Sequence, residues 1–141
     1  MKKIILTLLM VIFCISHVNN ARVLTNFNYI IPKKDIIITA TMYHPVVSQC
    51  DDTPLITACG LKIDPNAVSK KNYIAISRDL HVKYGGSLSF YDTVFIYNAG
   101  HKSNKNYIVV DLMNKRWKMR IDFLESYNTN IYKYDLVKMK I

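Results

Sequence analysis

The residues of this chain best suited to chemistry are two aspartates set inside apolar runs. Residues 109–125 read VVDLMNKRWKMRIDFLE, where Asp111 and Asp122 each follow a short hydrophobic run and bracket Lys115, Arg116, Lys118 and Arg120. A carboxyl group between apolar neighbours such as Ile121 and Phe123 can keep its proton through partial burial, and a second carboxylate nearby strengthens that tendency. Proton transfer of this kind is general acid–base catalysis, and glycoside cleavage ordinarily uses two carboxyl groups. Asp122 is therefore the candidate acid and Asp111 its charged partner. The intervening cations suit an anionic polymer, because guanidinium and ammonium groups bind carboxylates by charge-assisted hydrogen bonds. Each assignment has a plainer counterpart: Asp122 as a carboxylate capping turn amides, and the four bases as a solvated turn.

Other side chains could complete or compete with that site. Trp117, Tyr43 and Tyr91 are candidates for stacking on sugar faces, although a lone tryptophan in a small domain serves equally well as core. His44, His81 and His101 fall at no metal-ligand spacing, so neither a metal nor a cofactor is expected. Cys50 and Cys59 are read as a disulfide closing a small loop, the alternative being two reduced, partly buried thiols.

The chain has 141 residues and a formal net charge of +9. Lys2 and Lys3 precede an uncharged, mostly apolar run over residues 4–15 and the polar stretch SHVNNA, the pattern of a secretory signal peptide over residues 1–21. The apolar run is shorter than the roughly 20 residues a spanning helix needs, so no membrane span is expected after cleavage. Export would place the protein in the periplasm, the cell envelope or outside the cell, and would leave roughly 120 residues, enough for one core. A basic exported domain points to an anionic envelope partner. Nucleic acid fits poorly, since the lysines are scattered and no nucleic-acid motif is visible. Nothing in the sequence asks for more than a monomer.

Positioning these residues requires strands. Residues 22–34 are polar and form a lead-in. After them come short β-branched and aromatic segments separated by Pro, Gly and Asp: strands are expected at 36–42, 55–58, 73–77, 93–97, 107–112 and 120–124, with an edge strand over 132–138. Residues 79–83 suggest one helical turn and 114–118 a turn or short helix. Short strands at this spacing predict a small all-β barrel or sandwich spanning residues 35–141.

Five segments in order, TATMY (39–43), TACG (57–60), IAIS (74–77), YDTVFI (91–96) and the 109–124 stretch, resemble RlpA-like double-psi β-barrels. The resemblance is to the 3D domain, named for three aspartates, and to the C-terminal part of membrane-bound lytic transglycosylase A. It covers residues 37–125 and implies a six-stranded double-psi barrel with a groove across one face. It also departs from the pattern. Cys59 replaces a serine, the first family aspartate falls at Ser77 or is displaced to Asp79, and Leu112, Met113 and Asn114 stand where glycines follow the second aspartate.

The resemblance implies peptidoglycan cleavage by a single acid. The 6-hydroxyl of the muramic acid residue attacks its own anomeric carbon, so no second carboxylate or water is needed. Asp122 would protonate the glycosidic oxygen and then accept the hydroxyl proton, with Asp111 orienting. Tyr43, Thr57, Lys115, Arg116, Trp117 and Arg120 would bind the glycan. The alternative is an expansin-like module that binds polysaccharide without cutting it, and the third is an envelope protein with neither activity.

Overall fold

The computed structural model describes residues 34–141, so the expected signal peptide (1–21) and all but the last residue of the expected lead-in (22–34) lie outside the described residues. Six strands form: β1 (Asp35–Tyr43), β2 (Tyr73–Ile76), β3 (Thr93–Tyr97), β4 (Lys105–Leu112), β5 (Arg120–Leu124) and β6 (Tyr134–Lys140). They close into a barrel in the order β1-β5-β2-β4-β3-β6. Helical structure among the described residues is confined to short 3-10 turns, at Val68–Lys71, Arg78–Leu80, Val82–Tyr84 and Gly100–Lys102. The spacing of β-branched segments predicts an all-β barrel or sandwich, and the resemblance a six-stranded barrel; a closed six-stranded barrel is the architecture present.

Four neighbouring pairs are antiparallel, while β1–β5 and β2–β4 are parallel. Parallel neighbours need a crossover, and here long excursions supply it. Exchanging β1 with β4, β2 with β5 and β3 with β6 leaves every pairing unchanged, so the barrel has an internal two-fold, as a double-psi arrangement does. Side chains alternate between barrel interior and exterior along each strand. The interior is filled by Ile38, Ala40 and Met42 of β1, Ile74 and Ile76 of β2, Val94 and Ile96 of β3, Val109 of β4, Ile121 and Phe123 of β5 and Val137 and Met139 of β6. Tyr107 and Phe123 pack ring against ring at 4.9 Å. A second, smaller cluster lies outside the sheet, where Tyr43, Ala75 and Leu124 meet Ile63, Val68 and Met113.

Two expected elements differ. Residues 55–58 do not form a strand; a single bridge joins Ile56 to Lys62. Pro54 and the positive φ of Gly60 (83°) confine that segment to a tight turn. The last segment begins two residues later than expected and is no edge: β6 pairs with both β1 and β3 and closes the barrel.

Candidate functional site

The register of four adjacent strands gathers the two aspartates. Thr41 of β1 pairs with Asp122 of β5, Asp122 with Ala75 of β2, and Ala75 with Asp111 of β4. Because the interior of these strands is taken by Ala40, Met42, Ile74, Ile76, Ile121 and Phe123, the row Thr41–Asp122–Ala75–Asp111 faces outward. With strands about 4.8 Å apart, the two acids stand roughly 10 Å apart at the backbone. Only the methyl group of Ala75 lies between them. The row forms the floor of a cleft of about 630 Å³ whose lining includes Asp111, Asp122, Ala75, Arg78, Arg116 and Trp117.

The two acids are held differently. Asp111 accepts three hydrogen bonds, from the Tyr43 hydroxyl at 2.7 Å, the Ala58 amide at 2.8 Å and its neighbour Leu112 at 2.9 Å. These fix its orientation and tie the loop over residues 44–60, one wall of the cleft, to β4. Asp122 accepts from the Thr41 hydroxyl. Burial raises its pKa above the usual aspartate value; the Thr41 hydrogen bond and the Arg120 charge oppose this, and Asp111 adds to it.

The remaining sequence-derived candidates divide. Tyr43 lines the cleft, but its ring is buried in the outer cluster, so it acts through its hydroxyl on Asp111 rather than as a stacking face. Burial first and then Asp111 push its pKa well up. Thr57 also lines the cleft and is buried. Its hydroxyl accepts the Leu61 amide at 3.2 Å, which shapes the turn that presents Ala58 to Asp111. Arg116 and Trp117 are on the cleft wall, with the Arg116 guanidinium 4.8 Å from the indole centroid. Arg120 stacks on the same ring at 4.1 Å. It lies outside the cleft lining and acts on Asp122 through its charge. Lys115 and Lys118 are exposed, and neither they nor Tyr91 line the cleft.

The expected disulfide is absent. Cys50 and Cys59 are free thiols. They point to different partners: the Cys50 thiol donates to the His44 carbonyl from within the cleft lining, and Cys59 contacts the Thr57 hydroxyl at 3.2 Å. Among the described residues no group of three or more His, Cys, Asp or Glu side chains is arranged to hold a metal, and no helix is long and apolar enough to cross a membrane.

Ser77 and Asp79, the two positions weighed for a third acid, are both used on backbone. The Ser77 hydroxyl accepts the Arg120 amide and Asp79 accepts the Met119 amide, each at 3.0 Å. Together they clamp the chain entering β5, two residues before Asp122. Asp92 accepts the Ser89 amide at 2.7 Å. Leu112, Met113 and Asn114 have no positive φ, so the turn after Asp111 runs through conformations open to any L-residue. Sequence reasoning missed Thr41, Ala75 and Arg78. The one available signal for Ala75 was a small residue between two isoleucines in an otherwise bulky strand.

No family model matches the chain, and no curated protein or solved structure matches it significantly.

Proposed function

We propose that the chain is an exported protein acting on the cell wall, and that it cleaves peptidoglycan or a related anionic glycan through a single aspartic acid, Asp122. The observation that supports this most is the contrast between the two acids of one cleft. Burial favours the protonated form of Asp122, whereas both oxygens of Asp111 already accept hydrogen bonds. With the Asp111 oxygens already engaged, Asp122 is the one carboxyl on the floor suited to give a proton and take one back, as a single-acid cleavage requires.

In this reading Asp122 donates its proton to the glycosidic oxygen as the bond to the anomeric carbon breaks. The 6-hydroxyl of the same sugar closes on that carbon, and its proton passes to Asp122, restoring the acid. Trp117, held between Arg116 and Arg120, offers the aromatic wall, and Arg116 the cationic one. The resemblance to RlpA-like barrels and lytic transglycosylases agrees with this chemistry.

The test is incubation of purified sacculi with the mature chain, followed by mass spectrometry of the soluble fraction. Release of anhydro-muropeptides that Asp122→Asn abolishes is the expected result. Co-sedimentation with sacculi without any release would replace the enzyme by a binding module.

A further inference from the structure

The turn that follows β2 reads Ser77-Arg78-Asp79. Its outer two side chains bond the backbone at Arg120 and Met119. The middle one, Arg78, lines the cleft. Its guanidinium lies 5.5 Å from the centroid of the Tyr84 ring, and its Nε is shut off from water with no hydrogen-bond partner. A guanidinium stays charged at any physiological pH, and a buried donor without an acceptor is costly unless something else supplies one.

Among the described residues of this chain none is supplied. The ion pairs among its described residues are Lys102–Glu125 and Lys133–Asp135. Of the three carboxylates lining the cleft, Asp51 accepts from Thr53, Asp111 from Tyr43, Ala58 and Leu112, and Asp122 from Thr41. Arg78 is thus a cation fixed on the wall of a cleft whose acids are all engaged elsewhere. It is three residues beyond Ala75, at most about 10 Å along the chain from the point between the two aspartates, roughly the distance of one sugar unit with its substituent.

We propose that Arg78 is an anion subsite that takes the carboxylate substituent of an acidic sugar bound over Asp122. The planar fork packs on Tyr84, and its two terminal Nη groups present paired donors matched to a carboxylate; the Nε–H, closed to water, shares the same delocalised guanidinium and reports the contact. Arg78 is a positioning residue: it fixes the register of the sugar and takes no part in proton transfer. The inference deepens the glycan reading and rests on it for the sugar over Asp122, while the anion contact itself is measured separately.

The experiment is an NMR titration that follows the Arg78 Nε–H resonance, assigned by its loss in Arg78→Gln. The probes are N-acetylmuramic acid, N-acetylglucosamine (the same ring without the lactyl carboxylate) and glucose 6-phosphate. The expected result is a saturable shift with N-acetylmuramic acid, little with N-acetylglucosamine, and affinity at least about tenfold weaker in Arg78→Gln. Arg78→Lys should recover part of it, since lysine restores the charge without the fork. Equal response to both N-acetyl sugars, or an unmoved Arg78 resonance, overturns the subsite. A response to the phosphate sugar alone overturns the carboxylate assignment. An Arg78 shift with the acidic sugar in a chain that neither binds nor cuts sacculi keeps the subsite and removes the peptidoglycan reading.

Discussion

The protonation of Asp122 is set by four identifiable influences, and three of them can be removed singly with opposite expected signs. Burial is the largest and raises the pKa; the Thr41 hydroxyl and the Arg120 charge lower it; Asp111 raises it. Thr41→Val keeps the side-chain volume and removes a hydrogen bond to the ionised carboxylate, an interaction worth about 1.5–3 kcal/mol. Asp111→Asn removes a charge roughly 10 Å away across two strands, worth about 0.4 kcal/mol in water and about 1.7 kcal/mol at an effective dielectric of 20. Thr41→Val is therefore expected to move the Asp122 titration to higher pH, and Asp111→Asn to move it to lower pH by a smaller step. Arg120→Gln should follow Thr41→Val in direction. The assay is carbon-13 NMR of the carboxyl carbons, with Asp122 assigned by comparison with Asp122→Asn; it needs no substrate. A Thr41→Val titration that stays in place or moves to lower pH, or an Asp111→Asn titration that moves up, would refute the account of how this cleft holds its proton.

The raised Asp122 pKa also predicts that the acid opposes folding. Its favourable, protonated contribution is full below the ordinary value of 3.8 and is lost as pH rises through the folded value. Asp122→Asn should then melt higher than the wild-type chain at pH 7, and the difference should close at acid pH; a variant that melts lower at neutral pH sinks this reasoning. Glu125 behaves oppositely. Burial alone would raise its pKa, but hydrogen bonds from Lys102, Ser69 and Tyr132 outweigh it and hold the pKa below 4.5, so its contribution is present above that value and fades as pH falls. Lys102→Met, which strands this 1 % exposed carboxylate, should cost about 3–5 kcal/mol in urea unfolding at pH 7, and a cost under about 1 kcal/mol would show that the network carries little. Burial, then Asp111, pushes the Cys50 thiol up to about 11, so its alkylation by iodoacetamide should be slow at pH 8 and quicken toward pH 11. Blocked Cys50 and Cys59 in the non-reduced protein would restore the disulfide reading.

The barrel strands were readable because each carries its own local signal: β-branched runs such as TVFIY and YIVVDL end at turn residues. Closure was not, since it depends on pairings between distant segments. β6 read as an edge strand because its alternation says nothing of what lies on either side. Its register is also interrupted, with Leu136 at positive φ (57°) and the β1 partner shifting between Ile38 and Ala40. Asp111 and Asp122 stood out as acids set within otherwise apolar segments. Arg78 did not, because a charged residue in a turn is the ordinary case, and only the third dimension reveals that its neighbours are engaged and it is not. The disulfide failed for a related reason: two cysteines nine positions apart satisfy counting, but each side chain turns to a different partner within the 44–60 loop.

The internal two-fold explains why the site is asymmetric. The exchange of strand pairs matches Thr41 with Asp111 and Ala75 with Asp122 on the outward row. A symmetric barrel would carry the same residue at each matched position. Aspartate at both Ala75 and Asp122 would put two carboxylates directly opposite on antiparallel strands, a cross-strand pair that repels at close range. Aspartate at both Thr41 and Asp111 would flank Asp122 on its other side and replace a donor with a charge. In the observed row each acid instead has neutral neighbours on the adjacent strands: threonine and alanine beside Asp122, alanine beside Asp111. The acids consequently interact across two strand spacings, and Asp111 is the least of the influences on Asp122. Burial is then the main influence that favours the protonated form. A carboxyl whose pKa is raised chiefly by burial, with no second carboxylate on an adjacent strand, is the arrangement that the proposed single-acid cleavage would use.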